Sequence, residues 1–424
     1  MHRKIILIAA AFAIFPALSS GENSVSSFTA AILKGPYIKA ITATSATILW
    51  ETDAPSKSVV EFGTDKRLGK ESESNSEAKK LVPDINLAST TVTANINAVT
   101  ITGIQPDTTY YYRVSSLKKP AGVYQFRTAP EPGGAFRFVV YGDNRGAAAG
   151  EQENHKKVAA SVESLSPQPM LIINTGDLVF RGKIITKHGS EGIYKDEWQL
   201  FFDVIKSLAT HTAYYPVFGN HDSDGTSEKT RVFSAFFPKG VNSPENTYYS
   251  FDIGNVHFII LNSEIDYSNG SPQYNWLVMD LKNTMAAPHV KFVIASMHRP
   301  PYTISESHSS DLGIRNTLSP LFEAYRVDLV FSGHNHLYER SKPITSGVVD
   351  AKNGVYYIIA GGGGAPLYGC TEGKTGRDLN EKCIKSLNYV AGDVDCRTTC
   401  SITLNVYNSD GAVIDRVDLS ERKK

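Results

Sequence analysis

Five short polar motifs sit in the C-terminal two-thirds of this 424-residue chain, most of them directly after a hydrophobic run. They are Gly142-Asp143-Asn144-Arg145, Gly176-Asp177, Gly219-Asn220-His221-Asp222, Met297-His298 and Gly333-His334-Asn335-His336. Asp143 follows Val139-Val140-Tyr141-Gly142, and Asp177 follows Ile172-Ile173-Asn174-Thr175-Gly176. His298 ends the run from Val293 to Met297, and the His334/His336 pair follows Leu329-Val330-Phe331-Ser332-Gly333. Short apolar runs of this kind read as buried strands. The loop after such a strand is where α/β folds place function, because the strand end is fixed and the loop is free to vary. Together the motifs supply carboxylates, an amide and several imidazoles, the ligand set of a pair of metal ions.

Around the motifs the pattern is strand–helix–strand. Phe136 to Tyr141 and Met170 to Ile173 read as buried strands, and Glu151 to Leu165 between them has helical spacing. That alternation predicts an α/β domain over 135–420. Further buried strands are expected at Val256 to Leu261, Val290 to Ser296, Val327 to Phe331 and Val355 to Ala360. Ser401 to Val406 and Val413 to Val417, joined through Asn408-Ser409-Asp410-Gly411, predict a terminal hairpin. Upstream, the segment 35–129 is different. Ser45 to Trp50, Ser58 to Phe62 and Tyr110 to Val114 alternate apolar and polar residues and are rich in β-branched and aromatic types. They predict an all-β sandwich, with the mostly polar stretch Asp65 to Ser76 as a loop. Ala129-Pro130-Glu131-Pro132-Gly133-Gly134 reads as the linker between two domains, which the chain length also favours.

Forty-three basic and 43 acidic residues cancel, so no bulk field draws nucleic acid or an anionic membrane. Any phosphate must be attracted locally. Met1-His2-Arg3-Lys4, the apolar run Ile5 to Leu18 and the small residues up to Gly21 read as a signal peptide over 1–21, which predicts a secreted or periplasmic protein. The run is short for a membrane span, and no later segment is long and apolar enough for one. All four cysteines lie late, at Cys370, Cys383, Cys396 and Cys400. In an exported chain two disulfides are expected. Of three possible pairings, Cys370–Cys383 and Cys396–Cys400 close short local loops; a zinc site is the alternative.

In order and context, the five motifs and the Leu337-Tyr338-Glu339-Arg340 that follows them resemble the calcineurin-like metallophosphoesterase superfamily. Gln105-Pro106-Asp107-Thr108-Thr109 and the strand after it look like the corner of a fibronectin type III-like domain, closest to the N-terminal domain of purple acid phosphatases. The resemblance implies two packed mixed sheets flanked by helices in the second domain. It implies that Asp177 bridges two metals, that Asp143 and His336 hold the first, and that Asn220, His298 and His334 hold the second. It places His221 and Asn220 beside the substrate phosphate, makes His221 a candidate acid with Asp222 as its orienting partner, and suggests substrate contact for His308. The pair of Fe, Mn or Zn ions would deliver hydroxide to a small phosphoester in line, so no Ser or Cys nucleophile is needed. The run Gly361-Gly362-Gly363-Gly364 lacks the Lys-Ser/Thr of a phosphate loop and reads as a structural turn.

Two positions depart from the pattern. The superfamily's His two residues after the first Asp is replaced by Arg145, and the Tyr that purple acid phosphatases place three residues after the second Asp is replaced by Phe180. Neither can ligate, so the first metal is short of one ligand. Asn144 is one possible substitute, and Arg145 is free either to bind substrate phosphate or to form a structural ion pair. An acid phosphatase-like hydrolase is expected, with a phosphodiesterase or nucleotidase of the same superfamily, or a weakly active binding protein built on the β-sandwich, as alternatives. The loops Arg181 to Lys195 and Pro301 to Leu312 are where specificity is expected; oligomeric state is open.

Overall fold

The computed structural model describes residues 30–421 apart from 76, 82–91, 117–121, 147–148, 183–196, 226–228, 239–244 and 372–375. The expected signal peptide lies outside the described residues, as does most of the Arg181 to Lys195 loop. Among the described residues no helix is long and apolar enough to cross a membrane.

The first third of the chain forms two four-stranded antiparallel sheets. One runs in the order Ile32–Ile41, Ser45–Thr52, Val92–Thr102, Glu77–Leu81, and the other Lys70–Asn75, Lys57–Gly63, Thr109–Ser116, Tyr124–Arg127. Side chains alternate faces along a strand, so Thr109–Ser116 buries Tyr110, Tyr112, Val114 and Ser116. Trp50 is fully buried, and its Nε1–H donates to Ser116 Oγ at 2.6 Å. The Gln105 N–H donates to the Tyr110 hydroxyl at 3.0 Å, which ties down the corner that the sequence singled out. Lys70–Asn75 is a strand where a loop was expected. It pairs with Lys57–Gly63 at the sheet edge, where ladder hydrogen bonds suffice and a fully polar, charged strand is tolerated.

The second part contains two mixed sheets packed face to face. A six-stranded sheet runs Ala213–Pro216, Leu171–Asn174, Ala135–Tyr141, Asn388–Asp395, Ser401–Asn408, Val413–Ser420; the first three are parallel and the rest antiparallel. A seven-stranded sheet runs Tyr249–Ile253, Val256–Ile260, Phe292–Ser296, Leu329–Ser332, Tyr356–Ala360, Tyr338–Ser341, Asn380–Ile384, with its four strands from Val256 to Ala360 parallel. Alternation sorts their residues. Phe138, Val140, Ile173, Phe258, Ile294 and Phe331 meet between the sheets. Val139, Tyr141 and Ile172 face outward onto the helices Ala149–Glu163 and Glu197–Ala209. Ile259, Val293 and Val330 face outward onto the helix Pro272–Ala286 and the short helices Leu312–Thr317 and Ser319–Ala324. Each large side chain so buried contributes about 1.5–3 kcal/mol before entropy is counted.

The inter-sheet core continues into the β-sandwich, where Ile38, Trp50, Val60 and Tyr112 belong to the same cluster as Phe136 and Phe138. Hydroxyls cross the boundary as well. Tyr37 donates to the Phe236 carbonyl at 2.5 Å and Tyr112 to the Thr210 carbonyl at 2.7 Å. Disulfides join Cys370 to Cys383 and Cys396 to Cys400, the pairing expected from loop length, so these thiols are not zinc ligands.

Candidate metal centre

Every one of the five motifs leaves the C-terminal end of a parallel strand. Asp143 follows Ala135–Tyr141, Asp177 follows Leu171–Asn174, Asn220 follows Ala213–Pro216, His298 follows Phe292–Ser296, and His334 and His336 follow Leu329–Ser332. Because the two sheets face each other, these ends converge. Ligand atoms of Asp143, Asp177 and His298 all lie within 4.8 Å of one another, in a group able to hold a metal ion.

The other candidates sort to either side of Asp177. His298 Nε2 lies 3.3 Å from Asp177 Oδ1, 3.1 Å from Asn220 Oδ1 and 3.2 Å from His334 Nδ1. On the opposite side His336 Nε2 lies 3.7 Å from Asp143 Oδ1. His334 and His336 can face different sides because His334 has φ +69, so the loop turns between them. Asp143 and Asp177 also sit at positive φ, 54° each. Backbone hydrogen bonds hold these outliers: Asp143 N–H donates to the Gly176 carbonyl at 2.9 Å, and His334 N–H donates to the Asp143 carboxylate at 2.9 Å. A Cβ on Gly333 would overlap Asp143 Oδ2 and lie 2.8 Å from Thr175 Oγ1, so only glycine fits beneath the His pair.

The donor set fits a metal. His298 Nδ1 faces the Thr175 carbonyl at 2.9 Å and His336 Nδ1 faces the Pro366 carbonyl at 2.7 Å. A carbonyl only accepts, so each Nδ1 donates to it and each Nε2 is the nitrogen turned to the cluster, the arrangement that outer hydrogen bonds give ligating histidines. Burial pulls His336 down to about 4 and His334 well below the usual imidazole range, which leaves both neutral. Burial and the neighbouring Asp177 push the Asp143 carboxyl up, so this pair of carboxylates favours a cation beside it. Burial also raises Asp177, but the His298 and His221 charges outweigh it and hold that carboxyl low.

The positions that depart from the superfamily pattern are occupied in an unexpected way. The Arg145 guanidinium approaches Asp177 Oδ2 at 3.3 Å through Nε and lies 5.2 Å above the Phe180 ring. The contact is electrostatic, since Arg145 Nε is buried and makes no hydrogen bond. Phe180 also stacks on His221 at 5.3 Å, and His221 Nδ1 bonds the Phe180 carbonyl at 2.9 Å. Asn144 is not a substitute ligand. Its amide donates to the Leu178 carbonyl at 3.0 Å and accepts from Asn174 at 2.5 Å, so both ends are already used.

Asp222 does not orient His221. The short 3-10 turn Asn220–Asp222 points its carboxylate back under the loop, where it accepts from the N–H groups of Gly219, Asp177, Leu178 and Val179 at 2.8–3.2 Å. It is a brace for two ligand loops, and the Phe180 carbonyl takes the role expected of it. His308 does reach the cluster: its ring stacks on His334 at 4.1 Å. Two neighbours escaped the sequence reading. Tyr368 stacks on His336 at 4.2 Å, and Arg299, paired in two places with Glu264, brings Nη1 within 3.4 Å of His334 Nε2. Arg299 directly follows His298 and was visible as such; Tyr368 lies beyond the glycine run and only folding brings it in. The run itself is structural: Gly363 N–H donates to the Gly142 carbonyl and Ala365 N–H to the Asp143 carbonyl, at 2.8 and 2.9 Å.

Residues 136–338 match the calcineurin-like phosphoesterase family model. This segment is a calcineurin-like phosphoesterase domain. Residues 37–128 match the N-terminal domain of purple acid phosphatases. It is 30% identical over 292 residues to purple acid phosphatase 23 of Arabidopsis thaliana, covering 63% of this chain and 62% of that one. To purple acid phosphatase 15 of the same plant it is 29% identical over 336 residues, 72% of this chain and 61% of that one. The chain thus spans about three-fifths of the length of these relatives. Purple acid phosphatase PPD1 from yellow lupin seeds has the same fold, with a TM-score of 0.75 at 22% identity over 91% of this chain and 74% of that one.

Proposed function

We propose that the protein is an exported, two-metal phosphoester hydrolase acting on small phosphomonoesters. The observation that carries this reading is the convergence of Asp143, Asp177, Asn220, His298, His334 and His336 at one end of two facing sheets, with both outer imidazoles aimed inward by carbonyls. In this reading Asp143 and His336 would hold one ion, Asn220, His298 and His334 would hold the other, and Asp177 would serve both. The mixed carboxylate, amide and imidazole donors suit Mn, Fe or Zn more than Ca. Bound there, the ions supply Lewis acidity and an activated water at neutral pH. The protein side chains contribute positioning and proton transfer. His221, its Nδ1–H donated to the Phe180 carbonyl, would as an imidazolium give its Nε2 proton to the leaving oxygen and be left as the neutral ring. Arg145 beside Asp177 offsets the carboxylate charge and presents a planar fork to a phosphate, and His308 contacts substrate from the far side of His334. The two disulfides and the basic, then apolar, N-terminus support export.

The test is hydrolysis of an aryl phosphomonoester, an aryl phosphodiester and nucleotides after chelation and reloading with Mn, Zn, Fe or Ca. Turnover fastest on the monoester is expected, with loss of two ions per chain on chelation. Asp177→Asn is expected to lower activity by at least about 100-fold, the upper range for disturbing even an outer-shell partner. Preference for the diester or for nucleotides would reassign the substrate class, and absence of turnover with every metal would defeat the hydrolase reading.

A further inference from the structure

Asn335, the residue between the two histidines of the last motif, is fully buried and has no place among the expected ligands. Its amide is committed to the loop that carries His308. Oδ1 accepts from the His308 N–H at 3.2 Å, and Nδ2 donates to the His308 carbonyl at 3.4 Å and to Thr303 Oγ1 at 3.2 Å. The side chain therefore grips both peptide groups of one residue, as a neighbouring strand would.

The direction of the amide is settled by Thr303. A hydroxyl has one proton, and Thr303 donates it to Glu339 Oε2 at 2.7 Å. Thr303 Oγ1 is left to accept, from Ser305 N–H at 3.0 Å and from Asn335, so the amide group facing it must be the NH2. Glu339 in turn accepts from the Ile304 N–H at 2.9 Å and from the Asn380 amide at 3.0 Å. Glu339 and Asn380 belong to paired strands of the seven-stranded sheet, Tyr338–Ser341 and Asn380–Ile384. A rigid sheet edge is thus connected through Glu339, Thr303 and Asn335 to the backbone of His308, whose ring is held over His334 at 4.1 Å.

We infer that Asn335 is a positioning residue for His308: it sets the height of that ring over the metal cluster and so the contact made with the substrate phosphate. The inference rests on the proposed hydrolase reading for its catalytic consequence. Residues 334 and 336 on either side keep their own contacts, so the role of Asn335 is separable from theirs.

The test compares Asn335→Leu, Thr303→Val, His308→Ala and the double variant Asn335→Leu/His308→Ala as metal-loaded full chains. Three quantities are read: metal content, KM and kcat on an aryl phosphomonoester, and affinity for inorganic phosphate by calorimetry. Asn335→Leu is expected to raise KM and weaken phosphate binding about 10-fold, the loss of one to two hydrogen bonds, with metal content unchanged. Thr303→Val is expected to shift both in the same direction by a smaller factor and stands in if Asn335→Leu fails to fold. In the His308→Ala background the Asn335 substitution should have no further effect. Effects that multiply in the double variant, or loss of metal in Asn335→Leu at unchanged phosphate affinity per bound ion, would overturn the inference. A wild-type chain that turns over no ester yet binds phosphate in an Asn335- and His308-dependent way would remove the hydrolase reading and keep the positioning role.

Discussion

At the scale of single residues, the centre is built on conformations that side chains avoid. Asp143, Asp177 and His334 all have positive φ, at a cost of about 1–3 kcal/mol each. The cost is met because each turn delivers a side chain into the cluster while its N–H bonds a neighbouring loop. Phe180 shows the reverse economy. The position gives no donor atom, and its ring serves instead as a platform between His221 on one contact and Arg145 on another. Position 180 supplies no phenol, and the Tyr368 ring stacks flat on His336. Iron-loaded protein is therefore expected to lack the strong visible band of an iron–tyrosinate pair. An absorption spectrum of the iron-reconstituted chain checks this, and a purple sample would contradict it.

At the scale of elements, the strand Val256–Ile260 and the helix Pro272–Ala286 are joined by a charge triad, remote in sequence from the motifs, in which His257 is buried and Asp252 exposed. His257 Nδ1 bonds Asp252 Oδ1 at 2.6 Å, and Nε2 bonds Asp280 Oδ2 at 2.9 Å. His289 faces the other Asp252 oxygen at 3.6 Å, and Ser250 donates to Asp280 Oδ1 at 2.6 Å. Burial alone would lower the His257 pKa, but the two carboxylates outweigh it and lift the ring to about 9. A folded-state pKa above the unfolded one stabilises the protein fully below about 6.5, and that stability is lost as pH rises through about 9. His257→Gln should accordingly destabilise by about 2–3 kcal/mol at pH 6 and by much less at pH 10. Denaturant unfolding of both proteins at the two pH values measures it; a difference independent of pH would contradict the charged triad.

At the scale of the molecule, the β-sandwich is not an appendage. Its core runs without a break into the space between the two mixed sheets, and Tyr37, Tyr112 and Tyr215 bond across the boundary. Regions that share one buried cluster unfold together. A single calorimetric transition is expected, with calorimetric and van't Hoff enthalpies in agreement; two resolved transitions would show the sandwich and the α/β layers to be independent.

The sequence by itself determined the apolar buried strands, which loops carry donor atoms, and which family they resemble, because period-two burial and strand-end motifs are local patterns. Val139, Val140 and Tyr141 could be read as a buried strand ending at Asp143 without knowing their partners. The polar edge strand Lys70–Asn75 could not, since nothing in its own pattern required pairing and only the neighbouring strand supplied it. The same limit applied within the centre. That Asp222 braces backbone amides and leaves His221 to the Phe180 carbonyl depends on how a short turn folds beneath the loop after Asp177. That Tyr368 and Arg299 flank the histidines depends on strands and loops far apart in the chain meeting at one edge. Residue type and order fixed the donors; the packing of two sheets fixed which lone pairs, rings and charges face one another.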